Sequence, residues 1–543
     1  MLLIAIAFSS LSFHRKANDL PLPSFYKKGA FHIHSGFSDG RGTVAEIGRD
    51  ARDSGLDFVI LTDHGKPNLE SSAATAWDRG TLLIGASEFS LHAGHLAAAG
   101  YQVPGYMFPP ESQQAIDEVN RDGGVTFISH PFDRSIPWTD WRVHGFTGIE
   151  ILSLYQMAKK NLLSAMTLLP LRYLFNPDYA LTSLVSYPQE EMRVWDRCNG
   201  FGNYYGIYAL DSHAKLQLTK KTSLHFPSYG ATFRILTIYV NVGSAWGNDP
   251  QANAAVIVSA MRRGNFFNVI ESLAAANGFE NVYREKDGRR VEMGGEAQSP
   301  GGSLIFKLPF KFATDIVIKK DGGIFKRIRA NTRQELSIPI ARNGVYRAEI
   351  SLSAGRFKTL PWIMANPFFI AMPAPAERPA EAVGATVPTG DIDSFRVEKN
   401  KRSSAVLRLN KQDGKMPVLG LTFGLQSEGP GQADFWVALA QRQKLAVSGR
   451  RGFVFETRAS RRMRFWLQYR TGSGLDEAAY QHSFLADEQW KTIAIPFADF
   501  HRLYGPAAAS VPAGVDSFFF LIDNAIAYPG AAGEIFFRDI GLY

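Results

Sequence analysis

"GAFHIHSGFSDGRG", Gly29 to Gly42, decides how the first half of the chain is read. His32 and His34 stand one residue apart at the end of an apolar run, and Asp39 follows in a loop rich in glycine and serine. Alternate residues of a strand share a face, so both imidazoles project the same way. A His-x-His pair alone says little. Partners elsewhere in the chain give it meaning.

Those partners recur in one kind of place. "AFHIH" reads as a strand, and "TVAEIGRDARDSG" as a helix with Thr43 and Glu46 as its capping box and Gly55 as its stop. "LDFVILTDH", "LLIGASE", "HLAAAG", "VTFISH", "GIEILS" and "YGIYALDSH" read as further strands, with "PESQQAIDEVNRDGG" and "QEEMRVWDRC" as helices between them. Such alternation predicts an α/β domain with a mostly parallel sheet or barrel. Asp63 with His64, Glu88, His130, and Asp211 with His213 all end strands, whereas His95 opens its own. Strand ends form the functional mouth of these folds, so the groups are expected to converge.

Six of the 12 histidines, with Asp39, Glu88 and Asp211, belong to this set. Packing explains so many poorly. Divalent metals explain them well, because neutral imidazoles supply nitrogen while carboxylates offset charge and bridge ions. The ligands outnumber one tetrahedral site, so two or three ions are expected. The single cysteine, Cys198, excludes an internal disulfide and a cysteine zinc cluster.

At 543 residues, the chain divides into several domains. The net charge of +8 is modest, and no basic run interleaved with aromatics lies near the histidines, so no nucleic-acid partner is expected. "MLLIAIAFSSLSFHRK" resembles the apolar region of a signal peptide, with Ser10-Leu11-Ser12 as a small-x-small cleavage site, although no basic residue precedes it. Residues 1–25 are therefore read as signal-like and the protein as exported, periplasmic or cell-surface, with a cytoplasmic location as the alternative. "NLLSAMTLLPLRYLFNPDYALTSLV" is broken at Pro170, Arg172 and Asn176-Pro177, so it reads as two short helices within an insertion at about 156–200, and no transmembrane span is expected. Short strands with Asp321-Gly322 and Asn343-Gly344 turns make 286–371 a small β-sandwich. A Pro/Ala-rich linker, 372–390, leads to an all-β domain over 391–543 that is expected to fold independently.

Taken together, "HIHSGFSDG", "LTDHG", "GASEFSLHAGHL", "ISHP" and "ALDSHA" resemble the PHP (polymerase and histidinol phosphatase) superfamily of metal-dependent phosphoesterases, over about Tyr26 to Ser272. The resemblance implies a distorted (β/α)7 barrel, here over 26–285, holding two or three Mn, Zn or Fe ions. Carried over, His32, His34, Glu88 and Asp211 would hold one ion. Glu88 would bridge to a second, bound by His95 and His130, and Asp39, His64 and His213 would hold or complete a third. His95 fits the "GHL" pattern better than His92. "FPSYGATFRIL", "VIVSAMRRGNFFNVIES" and "PWIMANPFFI" look like the subgroup that includes aryl-carbamate hydrolases of the carbaryl type.

The expected chemistry is attack on phosphorus by a water that two cations acidify. The same site would serve a carbamate or carboxylic ester as an alternative, and a non-catalytic glycan- or surface-binding protein is the other reading. Asp39 or His213 would shuttle the leaving-group proton. Lys66 and Arg134, just past ligands, are candidates for binding an anionic substrate, small or surface-attached. "RRMRFWLQYR", "WKTIAIPFADF" and "FRDIGLY" resemble galactose-binding-like jelly rolls of the complex-I-intermediate-associated-protein-30 and family-11 carbohydrate-binding type, which makes a glycan a candidate partner. Trp436, Trp466 and Trp490 are read mainly as core residues. Arg450, Arg451, Arg461, Arg462 and Arg464 are read as a solvated strand face.

Overall fold

Seven apolar runs of the first half become strands: β1 Tyr26–Ile33, β2 Phe58–Leu61, β3 Thr81–Leu91, β4 Gly94–Ala99, β5 Val125–Ile128, β6 Gly148–Ser153 and β7 Tyr205–Ala209. The computed structural model describes residues 10–543 apart from 218, 220–221, 244–245, 310–311, 332, 354–358, 374–386, 389–391, 411–416, 427–434 and 507–510. The apolar start of the chain and most of the Pro/Ala-rich linker lie outside the described residues. The chain forms two compact units, Met1–Val103 with Ser112–Ala376, and Pro104–Glu111 with Glu377–Tyr543.

The first unit is mixed α/β. β1 to β7 lie side by side in chain order. β1, β2 and β3 are mutually parallel, as are β5, β6 and β7, while β4 runs antiparallel to both neighbours. β2, β5, β6 and β7 are buried along their whole length, as strands covered on both faces must be. Beyond β7 the backbone returns to β1: Leu210 N–H donates to Phe31 O at 3.0 Å, Ser212 N–H to His32 O at 3.2 Å, and His34 N–H to Ser212 O at 3.0 Å.

The helix Val44–Asp53 starts on its expected capping box, with Thr43 N–H donating to the Glu46 carboxylate at 2.7 Å and Glu46 N–H to Thr43 Oγ1 at 3.2 Å. The inserted region holds helices Leu154–Lys160, Leu162–Phe175, Pro177–Thr182 and Gln189–Cys198. The expected break at Pro170 does not occur. The helix runs through it and stops at Asn176, where the following Pro177 disfavours helical backbone and the Asn176 side chain accepts from Tyr179 N–H at 3.0 Å. Among the described residues no helix is long and apolar enough to cross a membrane.

β8 (Leu236–Asn241) pairs antiparallel with β1, β9 (Phe266–Ile270) with β8, and the strand Thr359–Ala365 with β9. Strands of the 286–371 region therefore extend the first sheet, with no break in hydrogen bonding at the boundary expected near 286. The physical reason is the edge: the outer side of β9 presents N–H and C=O groups that need partners, and Thr359–Ala365 supplies them. A separate antiparallel sheet forms from Glu280–Arg284, Arg290–Val291, Ser303–Lys307 and Leu336–Pro339.

The second unit is two six-stranded antiparallel sheets enclosing a core rich in phenylalanine, including Phe453, Phe455, Phe518, Phe520 and Phe537. Arg464 departs from the solvated face expected of it. It is 1% exposed, and its Nη1 donates to Ser483 Oγ at 2.8 Å, while Ser483 donates from Oγ and N–H to the Glu111 carboxylate at 2.6 and 3.0 Å. Trp466 is core, its Nε1 donating to Asp523 at 3.0 Å. Trp490 has the Arg458 and Arg538 guanidiniums 5.4 and 4.3 Å from its ring centroid, so a sugar would have to displace them to stack there.

Candidate metal centre

The strand ends of the first unit bring the nine expected ligands together. His32 and His34, at the end of β1, place their Nε2 atoms 3.0 Å apart. Glu88 Oε2 lies 3.4 Å from each, and Asp211 Oδ1 lies 3.6 and 3.5 Å from them. Donors about 2.0–2.2 Å from a common tetrahedral centre stand about 3.3–3.6 Å from one another. His32, His34 and Asp211 therefore form one group that could hold a metal ion, with Glu88 Oε2 at a similar distance from both histidines. The other Glu88 oxygen, Oε1, lies 3.3 Å from His95 Nδ1 and 3.1 Å from His130 Nε2. Asp39 Oδ1 gathers His34 Nδ1 at 3.4 Å, His64 Nε2 at 3.8 Å and His213 Nε2 at 3.2 Å. His64 joins two groups, since its Nδ1 is 3.2 Å from Glu88 Oε2. His92 is exposed on the turn between β3 and β4 and joins none.

The donor set fits divalent cations in its chemistry, imidazole nitrogens and carboxylate oxygens grouped within reach of one another. Nδ1 of His34, His64 and His95 is buried without a hydrogen-bond partner, yet each points to a carboxylate oxygen within 3.4 Å. Burial without a proton partner is costly for an imidazole nitrogen and is relieved by a cation at its lone pair. Electrostatics show excess negative charge facing the imidazoles: burial disfavours charge on His32, His130 and His213, but the carboxylates outweigh it and hold all three above the ordinary imidazole value. Burial opposes charge on Glu88 and Asp211, but the surrounding histidines, His32 first, outweigh it and hold both carboxyls well below the usual range. Burial holds His34 down to about 4, in the unprotonated form a metal requires. Finally, His32, His130 and Asp211 adopt φ of +68°, +27° and +51°, a region that non-glycine residues populate sparsely.

Residues that sequence reading passed over hold the ligands in place. Glu150, 1% exposed at the centre of β6, puts Oε1 2.5 Å from His32 Nδ1 and accepts from His130 N–H on Oε2 at 2.8 Å. This turns His32 Nε2 towards the cluster. Its signal was an acid inside the otherwise apolar "GIEIL". Asp63 accepts from Ser35 N–H, Ser35 Oγ and Ser38 Oγ at 2.8, 2.8 and 2.7 Å, so it shapes the Asp39 loop instead of facing a metal. The fully buried Tyr229 donates to His34 O at 2.7 Å and accepts from Gly42 N–H at 3.2 Å.

Arg134 is exposed on the loop after His130, and Lys66 is half-buried two residues past His64. The cations lining the cavity beside Asp39, Asp211 and His213 are others, Lys159 and Lys215.

No family model matches the chain, and no curated protein matches it. Similar solved structures include a two-domain protein from Bacteroides vulgatus containing a predicted PHP-like metal-dependent phosphoesterase, at 14% identity and a TM-score of 0.31, over 65% of this chain and 99% of that one. They also include the family 11 carbohydrate-binding module of the cellulosomal cellulase Lic26A-Cel5E of Clostridium thermocellum, at 16% identity and a TM-score of 0.23, over 30% of this chain and 95% of that one. Both scores are too low to bear on activity.

Proposed function

We propose that the protein is a metal-dependent hydrolase of the PHP type that cleaves a phosphoester. One observation carries the reading: the two oxygens of Glu88 face five histidines from several elements, His32, His34 and His64 on one side and His95 and His130 on the other. Asp211, and Asp39 with His213, stand in adjoining groups that could hold a metal ion. The hydrogen bonds from β1 through β7 and back to β1 support reading the strands as a distorted barrel, with the cluster at its mouth.

In this reading His32, His34, Glu88 and Asp211 hold one ion, Glu88 with His95 and His130 a second, and Asp39, His64 and His213 a third. Bound divalent ions, Mn, Zn or Fe, supply Lewis acidity towards the ester oxygens and the attacking water. The chain's own groups do the rest. Glu150 and Tyr229 hold His32 and His34 in register. Nδ1 of His213 faces Asp211 O at 3.0 Å, so its one free lone pair is on Nε2, 3.2 Å from Asp39 Oδ1. With two ions bound, His213 carries a proton towards the leaving group, and with a third ion on Nε2 that role falls to the second oxygen of Asp39. A water oxygen bonds to phosphorus, the bond from phosphorus to the leaving oxygen breaks, and that oxygen takes the proton. Lys66 and Arg134 are assigned to the outer anion contacts.

Elemental analysis of purified protein, alongside a panel of phosphomonoesters, phosphodiesters, aryl carbamates and aryl esters, tests the proposal. Two or three ions per chain and turnover of phosphoesters are expected. Protein that binds no Mn, Zn or Fe on reconstitution would overturn it, and turnover of carbamates or carboxylic esters alone would move the reaction to carbon.

A further inference from the structure

Beside the cluster lies a cavity of about 670 Å³, within the size range of small-molecule sites. Its polar end is Asp39, Asp211 and His213. The remainder is built largely by the inserted helices, with Leu154, Leu169, Pro170, Leu181, Leu184 and Phe226 on its wall. On the inner wall the hydroxyls offer little to a polar guest, since Ser212 Oγ and Thr232 Oγ1 bond each other at 3.0 Å, and the remaining lining hydroxyl, that of Tyr155, belongs to a half-exposed residue. A sugar or nucleobase placed there would leave its own polar groups unpaired.

The lip is apolar as well. Tyr155 and Leu216 line the cavity while remaining 41% and 39% exposed. On the helix that supplies Leu169 and Pro170 to the wall, Leu174 is 80% exposed. At the polar end, Lys215 Nζ donates to Asp39 O at 3.0 Å, a carbonyl and not a carboxylate, so its charge faces the region where an anion would meet the cluster.

We infer that this cavity receives the apolar chain of the substrate, and that the ester cleaved is an amphiphile: an anionic phosphodiester group at the metal cluster and a long alkyl chain among the inserted helices. The inference rests on the hydrolase reading above and adds the substrate class to it. Specificity then comes from apolar burial, which scales with chain length.

The test is a homologous series of alkyl 4-nitrophenyl phosphate diesters, from methyl to dodecyl, assayed below their micellar concentrations with metal-loaded full-length protein. Affinities of the matching alkylphosphonates, measured by calorimetry, give a readout independent of turnover. Both kcat/KM and affinity are expected to rise about threefold to fourfold per methylene until the cavity fills. Leu184→Asp should flatten both slopes, and Leu216→Asp on the exposed lip serves if the first variant does not fold. Turnover with no dependence on chain length would overturn the inference and leave the hydrolase reading standing. Failure to turn over any diester, together with phosphonate affinity that climbs with chain length, would overturn the diester assignment and uphold the apolar cavity, while the hydrolase reading is decided separately by metal binding and the wider ester panel.

Discussion

Glu88 is the residue on which the centre turns. Its Oε2 faces His32, His34 and His64, and its Oε1 faces His95 and His130, so one side chain serves two positions at once. Glu88→Gln replaces one of these acceptors with an amide donor. We expect it to abolish turnover and to lower bound metal by more than one ion per chain, measured by plasma mass spectrometry. His92→Ala should leave metal content and rate unchanged, whereas His95→Ala should lower both; the reverse result would reassign that position. Glu150 touches no cation position and acts by aiming His32. Glu150→Gln should weaken metal affinity by about tenfold to a hundredfold while the protein stays folded, as read by titration against a chelator of known strength and by circular dichroism.

Among the elements, one of the clamps on the insertion centres on Asp133. Asp133 is 3% exposed and accepts from Ser135 N–H at 2.6 Å, Gln156 Nε2 at 2.5 Å and Lys159 Nζ at 2.6 Å, tying the helix Leu154–Lys160 to the loop after β5. Burial opposes charge on Asp133, but Lys159 and these donors outweigh it and hold its carboxyl below the ordinary value of 3.8. A folded-state value lowered in this way stabilises above the unfolded value, and the gain is lost as pH falls through the folded one. Cleavage of the inserted helices in limited proteolysis should therefore be constant between about pH 5 and 8 and accelerate only in stronger acid. Asp133→Asn should produce the fast pattern at pH 7.

At the scale of the whole molecule, the two units are not consecutive along the chain. Pro104–Glu111 lies between β4 and the helix Ser112–Arg121 in sequence, yet it belongs to the second unit, where Met107 N–H donates to Ile526 O at 3.1 Å and Tyr106 and Phe108 are 4% and 1% exposed. A chain ending near Ile370 loses the strands that cover these side chains. It should keep its metal yet unfold at a lower temperature and aggregate more readily than the full protein. Replacing Tyr106 and Phe108 by serine in the shortened chain should restore solubility. A shortened chain as stable and soluble as the full protein would return the segment to the status of an ordinary loop.

Eight of the nine candidate ligands were legible in the sequence because each is a polar residue at the boundary of an apolar run, and parallel strands carry such boundaries to one end of a sheet, while Asp39 was legible only through the motif around it. The capping box at Thr43 and Glu46 and the stop at Asn176-Pro177 were legible for the same reason: their causes are local, lying within four residues of their effects. Other features depend on contacts between distant positions. Glu150 meets His32 across 118 residues, the strand Thr359–Ala365 finds its partner at β9, and Pro104–Glu111 joins a unit whose other residues begin at Glu377. The continuous helix through Pro170 and the cavity it borders likewise needed packing to decide them. The sequence by itself determined which groups exist and where each strand presents them. Only the tertiary structure decided which buried acid orients which ligand, which edge is covered, and where an apolar guest finds room, because those outcomes follow from close packing among groups far apart in the chain.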